Sequence, residues 1–255
     1  MKYLSLFGII ILISFTFYCS EKKKEPQSDV NSHQYTDVFF IIEYPINFSK
    51  SRLSQVVSAT KRARLLSEQV LKTTVPYQIN IIIYESTPEF CQHTNVNWWK
   101  AAVSQGKTIH LQPPEILSEK GILPSTIAHE YAYFAIKDIC ANGCPLWLKE
   151  GIASYIAKEG NAYYDESVEK RIINGKLFRI NELDSQIISS NMTESRLAYW
   201  QAFAIVDYLI KRYGEERLIQ ILGRIDAGES TDAAFQHTIN LTLSQLEKAW
   251  RNSIR

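Results

Sequence analysis

His129 and Glu130 stand together in the segment Ile127-Ala128-His129-Glu130-Tyr131-Ala132-Tyr133. On a helix, a second histidine four residues after the first would turn both imidazoles towards one metal ion. The glutamate between them would take a proton from water held on that ion. Here the second position is Tyr133. A phenol has a reference pKa of about 10 and binds a metal well only as phenolate. Its oxygen also stands further from the backbone than either imidazole nitrogen, so a helix spaced for histidine holds it badly placed. These residues predict a strong loss of zinc affinity.

The pair His129-Glu130 recurs by chance in many chains, and a second segment gives it weight. Cys144-Pro145-Leu146-Trp147-Leu148-Lys149-Glu150-Gly151-Ile152-Ala153 resembles the gluzincin zinc metallopeptidases in its Pro, Trp, Leu and Glu-Gly-x-Ala positions. In that family the glutamate lies on the helix after the motif helix and supplies the third zinc ligand, a place that Glu150 matches. Tyr199 to Phe203, running on to Tyr213-Gly214, is similar to the helix that ends at Tyr-Gly in peptidase MA-like domains. Ala227 to Ser230 and the helix from Leu243 to Trp250 follow the same layout. The resemblance covers most of the chain from Val38 and is specific from Ile127 to Ala153. It implies a thermolysin-like core with an edge strand beside the motif helix, a role expected for Thr108 to Leu111.

The resemblance implies zinc held by His129, Glu150 and the residue at position 133, with Glu130 as general base. A Tyr133 phenolate and Glu150 would together neutralise the ion, which would then activate water less. Two further residues have competing readings. His110 on its strand either reaches the cleft as a replacement ligand or is structural. Tyr199 either stabilises an oxyanion, as tyrosines do in some gluzincins, or packs in the core. His93 and His237 have no motif around them.

The elements that must position these residues follow from periodicity. Val38 to Ile42 and Ile79 to Tyr84 are short β-branched and aromatic runs, which predict strands. Between them, Ser51 to Lys72 places Leu53, Val56, Val57, Leu65, Leu66 and Val70 at helical spacings, with charges on the other face. Trp99 to Val103 and Thr108 to Leu111 predict a hairpin, stopped by Pro113-Pro114. Leu123 to Ile139 is helical, with Pro124 and Ser125 at its start and Asn142-Gly143 after its end. Pro145 opens the next helix and Gly160 stops it. After a less regular stretch from Asn161 to Glu194, helices are predicted over Leu197 to Arg212, Glu215 to Ile225, Thr231 to His237 and Leu243 to Ser253. Thr242 and Gln245 form a capping box for the last.

The remaining features bound the setting. The chain has 255 residues, 28 Lys and Arg against 27 Asp and Glu, and a net charge of +1, so it carries no electrostatic footprint for nucleic acid. Met1-Lys2, an apolar run from Tyr3 to Tyr18, and then Cys19 resemble a bacterial lipoprotein signal. Phe17-Tyr18 depart from the small residue usual before the cysteine, and an uncleaved anchor is the competing reading. Glu21 to Tyr35 is polar and predicts a flexible tether. Of the other cysteines, Cys140 and Cys144 flank Ala-Asn-Gly. They either close a small disulfide loop or stay as buried thiols. A zinc site shared by Cys140 and His129 is not expected, because eleven helical residues span about 16 Å.

The expected fold is α+β: a small N-terminal mixed sheet with a helix, followed by a helical, zincin-like half. The expected divisions are a leader over 1–19 with lipidated Cys19, a tether over 20–36, and one peptidase MA-like domain over 37–255. The expected function is that of an exported, membrane-anchored lipoprotein with a degenerate zinc site. Impaired in catalysis, it would bind peptide or protein in the old cleft. The alternative is an active zinc metallopeptidase that hydrolyses peptide bonds with Glu130 as general base. Either reading places the folded part outside the cytoplasm, on the periplasmic side or cell surface of a bacterial membrane.

Overall fold

The computed structural model describes residues 32–254. The candidate leader, Cys19 and the tether as far as residue 31 lie outside the described residues. Strand β1 (Ser32–Thr36) pairs antiparallel with β2 (Phe40–Pro45), Gln34 opposite Glu43 and Tyr35 opposite Ile42. This corrects the extent of the tether. Residues 32–36 have little apolar surface, but backbone pairing with β2 needs none.

Helix α1 (Lys50–Leu71) makes the crossover to β3 (Ile79–Ile83), which lies parallel to β2. A parallel pair needs such a connection, and a helix supplies it. Helix α2 (Thr87–Thr94) follows, and then the hairpin of β4 (Ala102–Gln105) and β5 (Thr108–Leu111). The hairpin turns at Gly106, whose φ of 63° favours glycine.

The strand order is β1-β2-β3-β5-β4. The edge strand on the motif side is therefore β4, not Thr108 to Leu111. Strand β5 runs parallel to β3 in the sheet interior, and the hairpin folds β4 to its outside. Period-two alternation then sorts the side chains. Phe40, Ile42, Ile79, Ile81, Ile109 and Leu111 are buried in the main core with the helices. Tyr84 and Val103 form a smaller cluster with Phe90 of α2.

After α3 (Pro114–Glu119) comes α4 (Leu123–Ile139), which packs along α1 and carries His129 and Glu130. A six-residue connection leads to α5 (Leu146–Ala157), which returns against α4 and carries Glu150. Asp184 accepts from the amides of Leu146 at 3.1 Å and Trp147 at 2.7 Å, so it caps α5 from another element. The remaining elements are α6 (Gly160–Tyr163), α7 (Glu166–Ile173), a single 3₁₀ turn (Ile180–Glu182) and α8 (Leu183–Ile187). They are followed by α9 (Met192–Tyr213), α10 (Glu215–Asp226), α11 (Thr231–Ile239) and α12 (Leu243–Ser253). Thr242 and Gln245 form the capping box of α12. A mixed five-stranded sheet followed by helices is an α+β fold. Among the described residues no helix is long and apolar enough to cross a membrane.

Gly151 sets how close α5 comes to α9. A Cβ built on it would stand 2.4 Å from the Ala202 carbonyl oxygen and 2.7 Å from a Val206 methyl. Only glycine lets the two backbones approach this closely. The residue after Glu150 thus fixes the depth at which Glu150 enters the core.

Candidate active site

Helix α4 delivers His129 and Glu130, and α5 delivers Glu150. The three are 1%, 2% and 0% exposed, so charge in this place meets almost no water. His129 Nε2 lies 3.4 Å from Glu150 Oε2. The helix pair that the motif spacing requires is therefore present, and it brings the two ligand positions together.

Two residues that the sequence did not single out complete the surroundings of His129 and Glu130. Glu159 accepts a hydrogen bond at 2.7 Å from His129 Nδ1. Its place follows from the end of α5, where Lys158 adopts φ 59° and turns the chain back. The Glu159 amide then bonds to the Ser154 carbonyl at 2.9 Å. Ser104 of β4 donates to Glu130 Oε2 at 2.6 Å. Ser104 pairs with Ile109 and so shares the helix-facing side of the sheet. No sequence motif marks either residue. The Gly160 stop signal marked only the turn that brings Glu159 in.

Lys100, just before β4, is a third residue that the motifs did not mark. It is 8% exposed, and its ammonium is felt by Glu130 and Glu150. Burial pulls its pKa down to about 8, against the pull of Glu150 and Glu130. Burial also opposes charge on His129, but Glu159 and Glu150 outweigh it and raise that pKa to about 10. Burial raises the pKa of Glu130, while His129, Ser104 and Lys100 work against the rise. With His129 charged, two cations thus face three buried carboxylates, Glu130, Glu150 and Glu159.

Tyr133 stands one turn beyond His129, with ring centroids 5.5 Å apart. Its hydroxyl is buried and faces the Glu150 carboxylate without the geometry of a good hydrogen bond. Burial, then Glu150, then Tyr199 hold this phenol well above its usual pKa. Tyr199 is buried in the wall of the site and stacks on Tyr163 at 5.3 Å. The Tyr163 hydroxyl donates to Glu159 Oε2 at 3.2 Å.

His110 does not reach this site. It lies opposite Val103, and its Nδ1 is 2.8 Å from the Tyr84 hydroxyl, in the cluster on the other side of the sheet. Burial lowers its pKa to about 4, so it is a neutral, hydrogen-bonded core histidine. His93 bonds to the Glu89 carbonyl and His237 to Glu229, both on the surface.

The donor set can be tested against zinc. His129 Nε2 and both Glu150 oxygens are buried without hydrogen-bond partners. Two corners of a tetrahedron with bonds of about 2.0–2.1 Å lie about 3.4 Å apart, close to the separation seen. Glu159 on Nδ1 is the kind of outer partner that orients a ligating imidazole. The third corner fails, because it is offered a phenol that burial and Glu150 keep protonated. Among the described residues, no group of three His, Cys, Asp or Glu is placed to hold a metal. The residues present offer a zinc ion two well-placed ligands, His129 and Glu150, and a neutral phenol where a third would stand.

Comparison with curated proteins finds no match. The motif helix, the Glu-Gly helix behind it and the helices that follow lie within the region matched by a family model, the Peptidase MA superfamily, over residues 79–255 of the 255, and the chain belongs to that superfamily.

Proposed function

We propose that this chain is an exported, membrane-anchored lipoprotein of the Peptidase MA superfamily that has given up hydrolysis and binds a peptide or protein partner. The observation that carries this reading is Tyr133. Its buried hydroxyl faces Glu150 where the second imidazole of a gluzincin would stand, and burial and Glu150 hold the phenol in the protonated state in the metal-free protein. A protonated phenol gives zinc no anionic ligand, and a site with two good ligands holds the ion poorly. His129, held between Glu159 and Glu150, keeps its proton at neutral pH, and a metal would have to displace it.

Peptide binding finds support at the turn end of β4, one of the two edge strands of the sheet, where Ala102 and Val103 are covered and Gln105 is exposed. An extended segment adds to such an edge through main-chain hydrogen bonds. Trp98 and Trp99, 69% and 40% exposed, stand beside it and offer apolar contact. Lipid attachment at Cys19 and a place outside the cytoplasm rest on the leader-like residues alone.

The second reading is a working zinc peptidase with an unusual ligand set. The unpartnered Nε2 of His129 and carboxylate of Glu150, 3.4 Å apart, favour it. Hydrolysis of a mixed peptide library by the full chain, with and without a chelator, separates the two. The proposal expects no chelator-sensitive cleavage and no difference between wild type and Glu130→Gln. Cleavage that a chelator abolishes and Glu130→Gln lacks establishes the second reading instead.

A further inference from the structure

The connection between α4 and α5 holds two thiols that the site does not use. Cys140 caps the end of α4, its amide bonded to the Ile136 carbonyl at 2.8 Å. Cys144 sits two residues before α5 begins. Between them Gly143 adopts φ 69°, a left-handed conformation that folds the segment back on itself.

The turn is pinned from outside. The Asn142 amide donates to Asp226 Oδ1 at 3.0 Å, and the Gly143 backbone lies against Ile225 of α10. The Asp184 cap on Leu146 and Trp147 fixes its far end. The two free cysteines thus stand four residues apart at the two ends of one pinned turn, near enough for each thiol to perturb the other's ionisation. Cys140 Sγ also points at the Asn142 carbonyl, 3.7 Å away. Cys140 is buried and Cys144 is half-buried, so an exchange partner has access to the pair from the side of Cys144.

We propose that Cys140 and Cys144 are a redox crosslink site, closed by thiol–disulfide exchange with a low-molecular-weight or protein disulfide. One thiolate of the pair attacks a sulfur of the incoming disulfide and expels a thiolate, which takes up a proton. The second cysteine, after losing its proton, attacks the mixed disulfide and expels the other thiolate. Two protein thiols are oxidised to one disulfide, and the incoming disulfide is reduced to two thiols. The bond locks the turn that sets α5, with Glu150, against α4, with His129 and Glu130. The inference does not depend on whether the site binds metal.

The test uses the full chain equilibrated in buffers of oxidised and reduced glutathione, quenched by alkylation and digested with trypsin. Both cysteines fall in one expected peptide, residues 138–149, between Lys137 and Lys149. In oxidising buffer that peptide should carry no alkyl group and be lighter than the dithiol form by two hydrogen atoms. Reduction should lower Tm by about 4–8 °C, the scale of a short-loop disulfide in a domain of this size. The double variant Cys140→Ser/Cys144→Ser should lose this redox dependence. Alkylation of both cysteines in oxidising buffer, glutathione retained on either one, or a wild-type Tm independent of redox state overturns the proposal.

Discussion

At the scale of single residues, the site is a problem of buried charge. Taking a carboxylate out of water is costly unless a cation or good donors face it. Glu159 is answered by His129 and by the Tyr163 hydroxyl, and Glu130 by Ser104. Glu150 is faced by the charges of His129 and Lys100 and by the Tyr133 phenol, with no hydrogen bond of good geometry. In metal-free protein this arrangement makes stability depend on pH. The pKa of His129 is raised from 6.5 to about 10 on folding. Its contribution to stability is therefore fully present below pH 6.5 and lost as pH rises through 10. Glu159→Gln removes the leading cause of the rise. Followed by NMR of the imidazole, it should bring the pKa down towards 6.5, and Tm should then fall less between pH 7 and 10 than in wild type. An imidazole that titrates at the same pH in both proteins contradicts the assignment.

As neighbours, His129, Glu130, Tyr133 and Glu150 were legible in the sequence, because motif spacing on helices fixes which residues share a face. Ser104, Lys100 and Glu159 were not. They reach the site through strand register, a loop and a helix end, none of which has a sequence signature. His110 has two readings in the sequence, ligand or structural, because strand alternation fixes a face only after the register is known. Opposite Val103, it falls on the wrong one.

At the scale of elements, the long periodic segments were legible, including α4 and α5 with proline at their starts, and the short helices α2 and α3 were not. Pro113-Pro114 does end the sheet after Leu111, but the prolines at 88 and 114 also lie in the first turns of α2 and α3, two short helices that periodicity does not reveal. Proline suits that position, where its missing amide costs nothing. Ser86 accepts from the Glu89 amide and caps α2, a signal of the kind that marked α4. Likewise α9 starts at Met192 rather than Leu197, because Asn191 caps it through Thr193 and Glu194. Strand β1 left no apolar trace, since its contribution is backbone pairing. The close crossing of α5 and α9 is the element contact most exposed to a single change. Gly151→Ala drives a methyl into the Ala202 carbonyl and should cost about 1–3 kcal/mol in urea unfolding, as overpacked cores do. A variant as stable as wild type shows that the helices can part without loss.

At the scale of the whole molecule, the sheet supplies a floor with two different faces. One packs with the helices that hold the site, and the other carries the small cluster around Tyr84. The sheet begins at Ser32, so the folded unit extends past the boundary at residue 37 suggested by composition. Removal of residues 32–36 would uncover β2, an apolar strand that then becomes an unpaired edge. A chain starting at Asp37 should unfold at lower urea and aggregate more readily than one starting at Ser32. Equal behaviour of the two places β1 outside the cooperative unit.

The central claim is that Tyr133 alone separates this scaffold from a zinc centre. It is tested most directly by elemental analysis of protein purified without a metal-affinity tag. The account predicts no stoichiometric zinc in wild type and about one zinc per chain in Tyr133→His, lost again when His129→Ala is added. Stoichiometric zinc in the wild-type protein that vanishes in His129→Ala contradicts it and makes the tyrosine site a working metal centre.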